Sequence, residues 1–123
     1  MIKGRVTEGK AVLVACGIMG GNGRMWPLEA SLDTGFTGDL ALPTSAIRRL
    51  GLPRLGERVF TLADGRRDAM NAYSGTLIWH ERPLDVIVIQ SDGIPLIGMG
   101  TLWGSQIILN AVDDGSVIIE EIA

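Results

Sequence analysis

Ala30-Ser31-Leu32-Asp33-Thr34-Gly35-Phe36-Thr37-Gly38 is a strand-like run that ends in a carboxylate, a hydroxyl and a glycine, with a second glycine three residues later. Asp and Thr fit poorly in the middle of a buried strand. Together they can hydrogen-bond the backbone of a turn, and Gly35 and Gly38 allow close approach or a positive φ. Taken alone, Asp33-Thr34-Gly35 reads as a strand-ending turn. What surrounds it decides whether the carboxylate is also held for chemistry.

Upstream, Trp26, Leu28, Ala30 and Leu32 alternate with Pro27, Glu29 and Ser31, the period of a half-buried strand over Met25 to Leu32 that delivers Asp33 to its end. Lys10 to Ile18 is a continuous run of β-branched and small apolar residues and reads as a buried strand. The glycine-rich Met19-Gly20-Gly21-Asn22-Gly23-Arg24 joins the two as a hairpin connection. No Lys-Ser/Thr pair or helical pattern follows, so it is not a phosphate-binding loop. Ile2 to Thr7 alternates as a short first strand. Downstream, Asp39 to Pro43 is extended, and Thr44 is placed to cap a short helix over Ser45 to Leu50 that Gly51 closes.

Glu57 to Leu77 reads as a long hairpin turning at Asp64-Gly65, with a polar tip over residues 63–67. A strand from Leu84 to Ile89 follows, then a turn at Ser91-Asp92-Gly93. Ile94-Pro95-Leu96-Ile97 leads into Gly98, and Met99 to Ser105 forms a short helix with Leu102 and Trp103 facing the core. Strands over Gln106 to Val112 and Ser116 to Ile122 flank a turn at Asp113-Asp114-Gly115. Many short strands joined by turn chemistry, with one or two short helices, make an all-β, partly closed barrel. The 123 residues suffice for a single domain over 1–123 and one modest core.

The net charge of −3, and the lack of a basic tract with interleaved aromatics, argue against a nucleic-acid partner. Cys16 is the single cysteine and reads as a small buried residue, and His80 is the single histidine. A disulfide framework and a metal cluster are therefore outside the reach of one chain, and no cofactor is expected. No apolar run approaches the ~20 residues that span a membrane, and Met1 to Arg5 lacks the apolar core of a signal peptide. The expectation is a soluble cytoplasmic protein without a membrane partner.

Asp33-Thr34-Gly35-Phe36-Thr37-Gly38, preceded by Ala30-Ser31-Leu32 and followed by Leu40-Ala41-Leu42-Pro43, resembles the active-site segment of the retropepsin-like aspartic proteases, most closely the small single-domain bacterial and archaeal type. A second match is Pro95-Leu96-Ile97-Gly98-Met99, about sixty residues later, where that family carries two apolar residues and a glycine before a short helix. The resemblance implies an acid-protease fold that works as a homodimer and hydrolyses peptide bonds, with Asp33 from each subunit forming the catalytic pair. Two carboxyls within ~3 Å share one proton, so one acts as base toward water while the other is the acid. It further implies that Thr34, Gly35, Leu96, Ile97 and Gly98 support the active-site loop. Phe36, Thr37 and Gly38, with Ala63, Asp64 and Gly65 at the tip of a flap, would meet an extended peptide or protein substrate. By analogy, the N- and C-terminal strands would interleave with those of the partner.

The departures bear on substrate choice. Retroviral relatives carry acidic residues where this chain has Thr37 and Gly38, and a small residue where it has Phe36; their glycine-rich flap is absent. These differences keep open an alternative, a catalytically weak or inactive retropepsin-like dimer that serves as a peptide-binding or scaffolding module. A further alternative is an unrelated β-barrel carrying a chance turn motif.

Overall fold

The computed structural model describes residues 1–61 and 64–123. Among them, ten strands and two short helices run in the order β1 (Ile2–Val6), β2 (Val12–Met19), β3 (Met25–Leu32), β4 (Leu40–Pro43), α1 (Thr44–Leu50), β5 (Arg54–Thr61), β6 (Arg67–Trp79), β7 (Arg82–Ser91), β8 (Leu96–Ile97), α2 (Met99–Leu102), β9 (Ser105–Leu109) and β10 (Ser116–Glu121). Six strands close a ring, β2-β3-β8-β4-β7-β6 and back to β2. This is the partly closed all-β barrel expected from the turn spacing.

Two long strands make the closure possible by dividing one edge between two neighbours. β2 pairs with β1 over Val12 to Val14 and with β6 over Gly17 to Met19, while its other edge pairs with β3. β6 pairs with β5 over Arg67 to Tyr73 and with β2 over Thr76 to Ile78. The β5–β6 hairpin thus stands out from the ring as an arm. On the opposite side, β1, β10 and β9 extend the sheet outward from β2.

Ile18, Leu40, Leu42, Leu77, Val88, Ile97, Leu102 and Ile119 fill the core and are all but inaccessible. β4 shows why. It lies between β7 and β8, so Leu40, Ala41 and Leu42 are all buried and no alternation survives. β2 behaves differently from the continuous buried strand expected over Lys10 to Ile18. It starts at Val12, only Val14 and Ile18 are fully buried, and Ala15 faces solvent, because one face of β2 lies outside the barrel.

Other local readings are corrected by the fold. Helix α1 includes Thr44, so Pro43 occupies the N-cap and no side chain caps the helix; Gly51 closes it in the left-handed conformation (φ 63°). Helix α2 ends at Leu102. Leu102 is buried as expected, but Trp103 takes an extended conformation and is 81% exposed rather than facing the core. The strand expected to reach Val112 stops at Leu109. The terminal strands pair within the chain, Ile2 with Ile119 and Arg5 with Ser116, so β1 and β10 are not left to interleave with a partner. His80 and Glu81 make the tight β6–β7 turn at φ 51° and 63°, a conformation their side chains disfavour. A hydrogen bond of 2.7 Å between His80 Nε2 and Ser105 Oγ ties this turn to β9.

Two measurements probe this packing. Gly98 directly follows β8, and a Cβ there would lie 2.7 Å from Phe36 O and closer still to Gly38 O. Gly98→Ala is therefore expected to lower stability by about 1–3 kcal/mol in urea denaturation, and an unchanged midpoint would show that the loop has slack. Cys16 packs against the core, and burial pushes its thiol up to about 11. At pH 8 a disulfide reagent should label native protein about a hundredfold more slowly than urea-unfolded protein. Equal rates would mean that the thiol is open to solvent.

Candidate active site

Asp33 is the first residue beyond β3, and neighbouring backbone holds it on both sides. Its N–H donates to Ile97 O at 2.9 Å, extending the parallel pairing of Leu32 with Ile97 by one residue. Its Oδ1 accepts the Gly35 N–H at 3.0 Å, and its carbonyl accepts the Phe36 N–H at 3.2 Å. This is the side-chain-to-backbone turn that Asp favours, and it fixes one carboxylate oxygen. A Cβ on Gly35 would lie 3.3 Å from that oxygen, so the glycine provides the room for the contact.

The rest of the loop is fastened to the segment around α2. Phe36 O accepts the Met99 N–H at 2.8 Å, Gly38 O accepts the Gly100 N–H at 3.0 Å, and Asp39 O accepts the Gly98 N–H at 2.9 Å. Thr101 Oγ1 also donates to Asp39 O at 2.8 Å, and Asp39 Oδ2 accepts the Ile87 N–H at 2.9 Å. The two sequence matches, around Asp33 and around Gly98, thus come together as one hydrogen-bonded unit.

Asp33, Gly35, Phe36, Thr37 and Leu96 line a cleft of about 280 Å³, together with Ala41, Phe60, Thr61, Met70, Ile89 and Ser91. Asp33 is half-buried at this wall, while Thr34, Gly35 and Thr37 are exposed. The Phe36 ring faces Phe60 of the hairpin, centroids 6.3 Å apart and planes tilted by 52°. Gly38 makes room for that ring, since a Cβ there would sit 2.5 Å from its edge carbons. Ile97 is fully buried and Gly98 lies under the loop, so neither lines the cleft.

Asp64 and Gly65, expected at the flap tip, are at the tip of the hairpin but away from the cleft wall. Asp64 and Gly65 form the exposed turn of the β5–β6 hairpin, Gly65 at φ 86° and Asp64 paired with Arg66 at 2.6 Å. Neither lines the cleft, and Ala63 lies outside the described residues. The hairpin reaches the cleft through Phe60, Thr61 and Met70 instead. Those three, Ala41, Ile89, Ser91 and the loop anchor Asp39 were not singled out by sequence reasoning. Their one local signal is the alternation within each strand, which marks a face without saying which neighbour it meets.

Other chemistry finds little support. Burial raises the Cys16 thiol, whereas a nucleophilic thiol needs its pKa lowered, and His80 Nε2 is taken up by Ser105. Among the described residues no three His, Cys, Asp or Glu side chains gather as a metal site, and no helix is long and apolar enough to cross a membrane.

No protein-family model matches the chain, and no curated protein matches it. Solved structures do. A retropepsin-like aspartic protease from Rickettsia conorii superposes with a TM-score of 0.57 at 16% identity, covering 98% of this chain and 90% of that one. The protease of Simian foamy virus (mac) matches with a TM-score of 0.47 at 17% identity, over 72% of this chain and 90% of that one. With the closed six-strand ring, and the Asp33 loop bound to the segment around Gly98, the Rickettsia likeness establishes that this chain has the retropepsin-like all-β fold.

Proposed function

We propose that a homodimer of this chain is an aspartic endopeptidase, with one Asp33 from each subunit activating water against a peptide bond in an extended substrate. The observation that carries this reading is the placement of Asp33. A single carboxylate, one oxygen fixed by the Gly35 N–H, stands at the wall of a largely apolar cleft on a rigid loop. By itself such a carboxylate can be only a base or only an acid. Two of them meeting at a two-fold axis share a proton and supply both roles, titrating as a pair. One then takes the proton of water while the other protonates or hydrogen-bonds the scissile carbonyl.

In this reading Thr34, exposed beside Asp33, meets its counterpart across the axis and keeps the two carboxylates aligned. Leu96 forms part of the cleft wall, and Ile97 and Gly98 hold the loop from below. Phe60, Thr61 and Met70 on the hairpin cover the substrate, which adds its backbone as a strand. Since β1 and β10 pair within the chain, β9 is the outermost strand on that side of the sheet, and its exposed Ile108 and Leu109 are the surface offered to a second copy.

A second reading has its own motive. The Phe36 ring stands in the cleft against Phe60, where a smaller residue would leave more room for substrate. A dimer of this kind that grips a peptide without cutting it would use the same cleft.

Two experiments separate these readings. On a mixed peptide pool at acidic to neutral pH, wild-type protein should yield cleavage products by mass spectrometry, and Asp33→Asn should lower turnover by about 10³-fold or more. Cleavage surviving in Asp33→Asn overturns the protease reading; equal peptide binding by both proteins without product supports the binding module. In sedimentation, wild type should be a dimer and Ile108→Glu should shift it toward monomer with parallel loss of cleavage. A strictly monomeric wild type that still cleaves excludes a shared pair.

A further inference from the structure

Two glycines cradle the Phe36 ring. A Cβ on Gly38 would lie 2.5 Å from its Cε1 and Cζ, and a Cβ on Gly98 would lie 2.5 Å from its Cδ2. The ring therefore rests on the bare backbone of two segments, and a side chain at either position would collide with it. Its own backbone is bound as well, the N–H to Asp33 O and the carbonyl to Met99 N–H. Phe36 is thus a fixed wall on the same loop as Asp33, with no room behind it to retreat.

The wall that faces it is Phe60. Phe60 pairs with Asp68 in the β5–β6 ladder and Met70 lies two residues on from Asp68, so Phe60 and Met70 share one face of the hairpin. The Phe36 and Phe60 centroids are 6.3 Å apart, the spacing of a direct aromatic pair. A side chain inserted between two rings needs a contact of ~3.5–4 Å on either side, and so a gap of about 7–8 Å. The pair therefore closes one end of the cleft. The space left open lies beside it, among Ala41, Met70, Ile89 and Leu96.

We infer that Phe36 sets the specificity of the cleft: closed against Phe60, it confines the side chain bound beside Asp33 to an aliphatic one and excludes Phe, Tyr and Trp. The inference rests on the reading of the cleft as a peptide site. A branched aliphatic side chain is compact and packs between the ring pair and Met70. A planar ring is longer and stiffer, and the length it needs is taken up by the pair. To admit it one ring has to move. Phe36 has two glycine backbones behind it, so the hairpin would have to lift and give up the Phe36–Phe60 contact. Replacing Phe36 by Ala clears a ring-sized space over Gly38 and Gly98, where an aromatic substrate side chain can take up the contact with Phe60.

Two ten-residue fluorescein peptides of Ala and Ser test this, identical except for a single central Leu or Trp, which as the one large apolar side chain sets the register in the cleft. Both are titrated by fluorescence anisotropy into full-length Asp33→Asn protein and are separately offered to wild type for cleavage. The Leu peptide should bind about tenfold more tightly than the Trp peptide, with a matching advantage in kcat/KM wherever cleavage occurs. Adding Phe36→Ala should reverse the order, and adding Phe36→Leu, which keeps the two glycines covered, should bring the peptides to within about threefold of each other. Equal binding by Asp33→Asn, a preference for Trp, or binding of neither peptide overturns the inference. So does a Leu preference that Phe36→Leu leaves unchanged, a result that stands even if Phe36→Ala does not fold. A Leu preference that the Phe36 variants remove, with no cleavage by wild type, keeps the inference and discards the protease reading.

Discussion

Leu96 and Ile97 use both of their edges at once. They run parallel to Ser31 and Leu32 on one side and antiparallel to Leu40 and Ala41 on the other, so a two-residue strand fills the gap that the Asp33 loop opens in the sheet. If β8 were withdrawn, β3 and β4 would face each other across an unpaired slot, and the ring of six strands would be broken. The buried backbone groups on both sides would then lack partners, a cost proteins rarely carry. The hydrogen bonds from Gly98, Met99 and Gly100 into residues 36–39 continue the same seam. The rigidity of Asp33 is thus a property of sheet closure. A side chain on a free loop would need its own supports.

The cleft is a second consequence of this arrangement. The loop that carries Asp33 also carries Phe36, and the same residue whose carbonyl is bound by Met99 N–H directs its ring toward the hairpin. The barrel provides the floor through Ala41, Ile89 and Leu96, while β5 and β6 provide the roof. Beyond Ala72, the last residue of β6 that pairs with β7, Arg67 to Asn71 continue with β5 as a two-stranded arm, and such a ribbon has fewer neighbours to hold its angle. The Phe36–Phe60 contact is therefore a joint between a fixed element and a less constrained one.

Much of this was legible in the sequence. The strand Met25 to Leu32 had the predicted limits, because its outward positions alternate with inward ones and its ends are marked by Arg24 and Asp33. The closing role of Gly51 and the turn at Asp64-Gly65 were also readable, since a left-handed position prefers glycine. What stayed hidden depends on long-range partners. Trp103 looks like a core residue by hydrophobicity, but α2 ends one residue too early to turn it inward. The His80-Glu81 turn has none of the usual turn residues; its register comes from the long β6–β7 ladder that carries Trp79 opposite Arg82. The cleft walls combine residues from five strands and one loop, a set that no local pattern could name. The carboxylate itself was visible at once, while the opposite wall of the cleft, with Phe60 and Met70, needed the fold.

The pairing of β1 with β10 has a consequence in time. Ile2 and Ile119 are neighbours in space, so the loop they close spans almost the entire chain. Contacts of such separation cost the most chain entropy and raise contact order, which slows folding. During synthesis Asp33 and its strand emerge long before residue 116, and β9 has no ladder partner until β10 follows it. The outer edge of the sheet is thus completed only once residues 116–121 have been made. Any contact that needs this edge has to wait until β10 is in place, well after the Asp33 loop has been made.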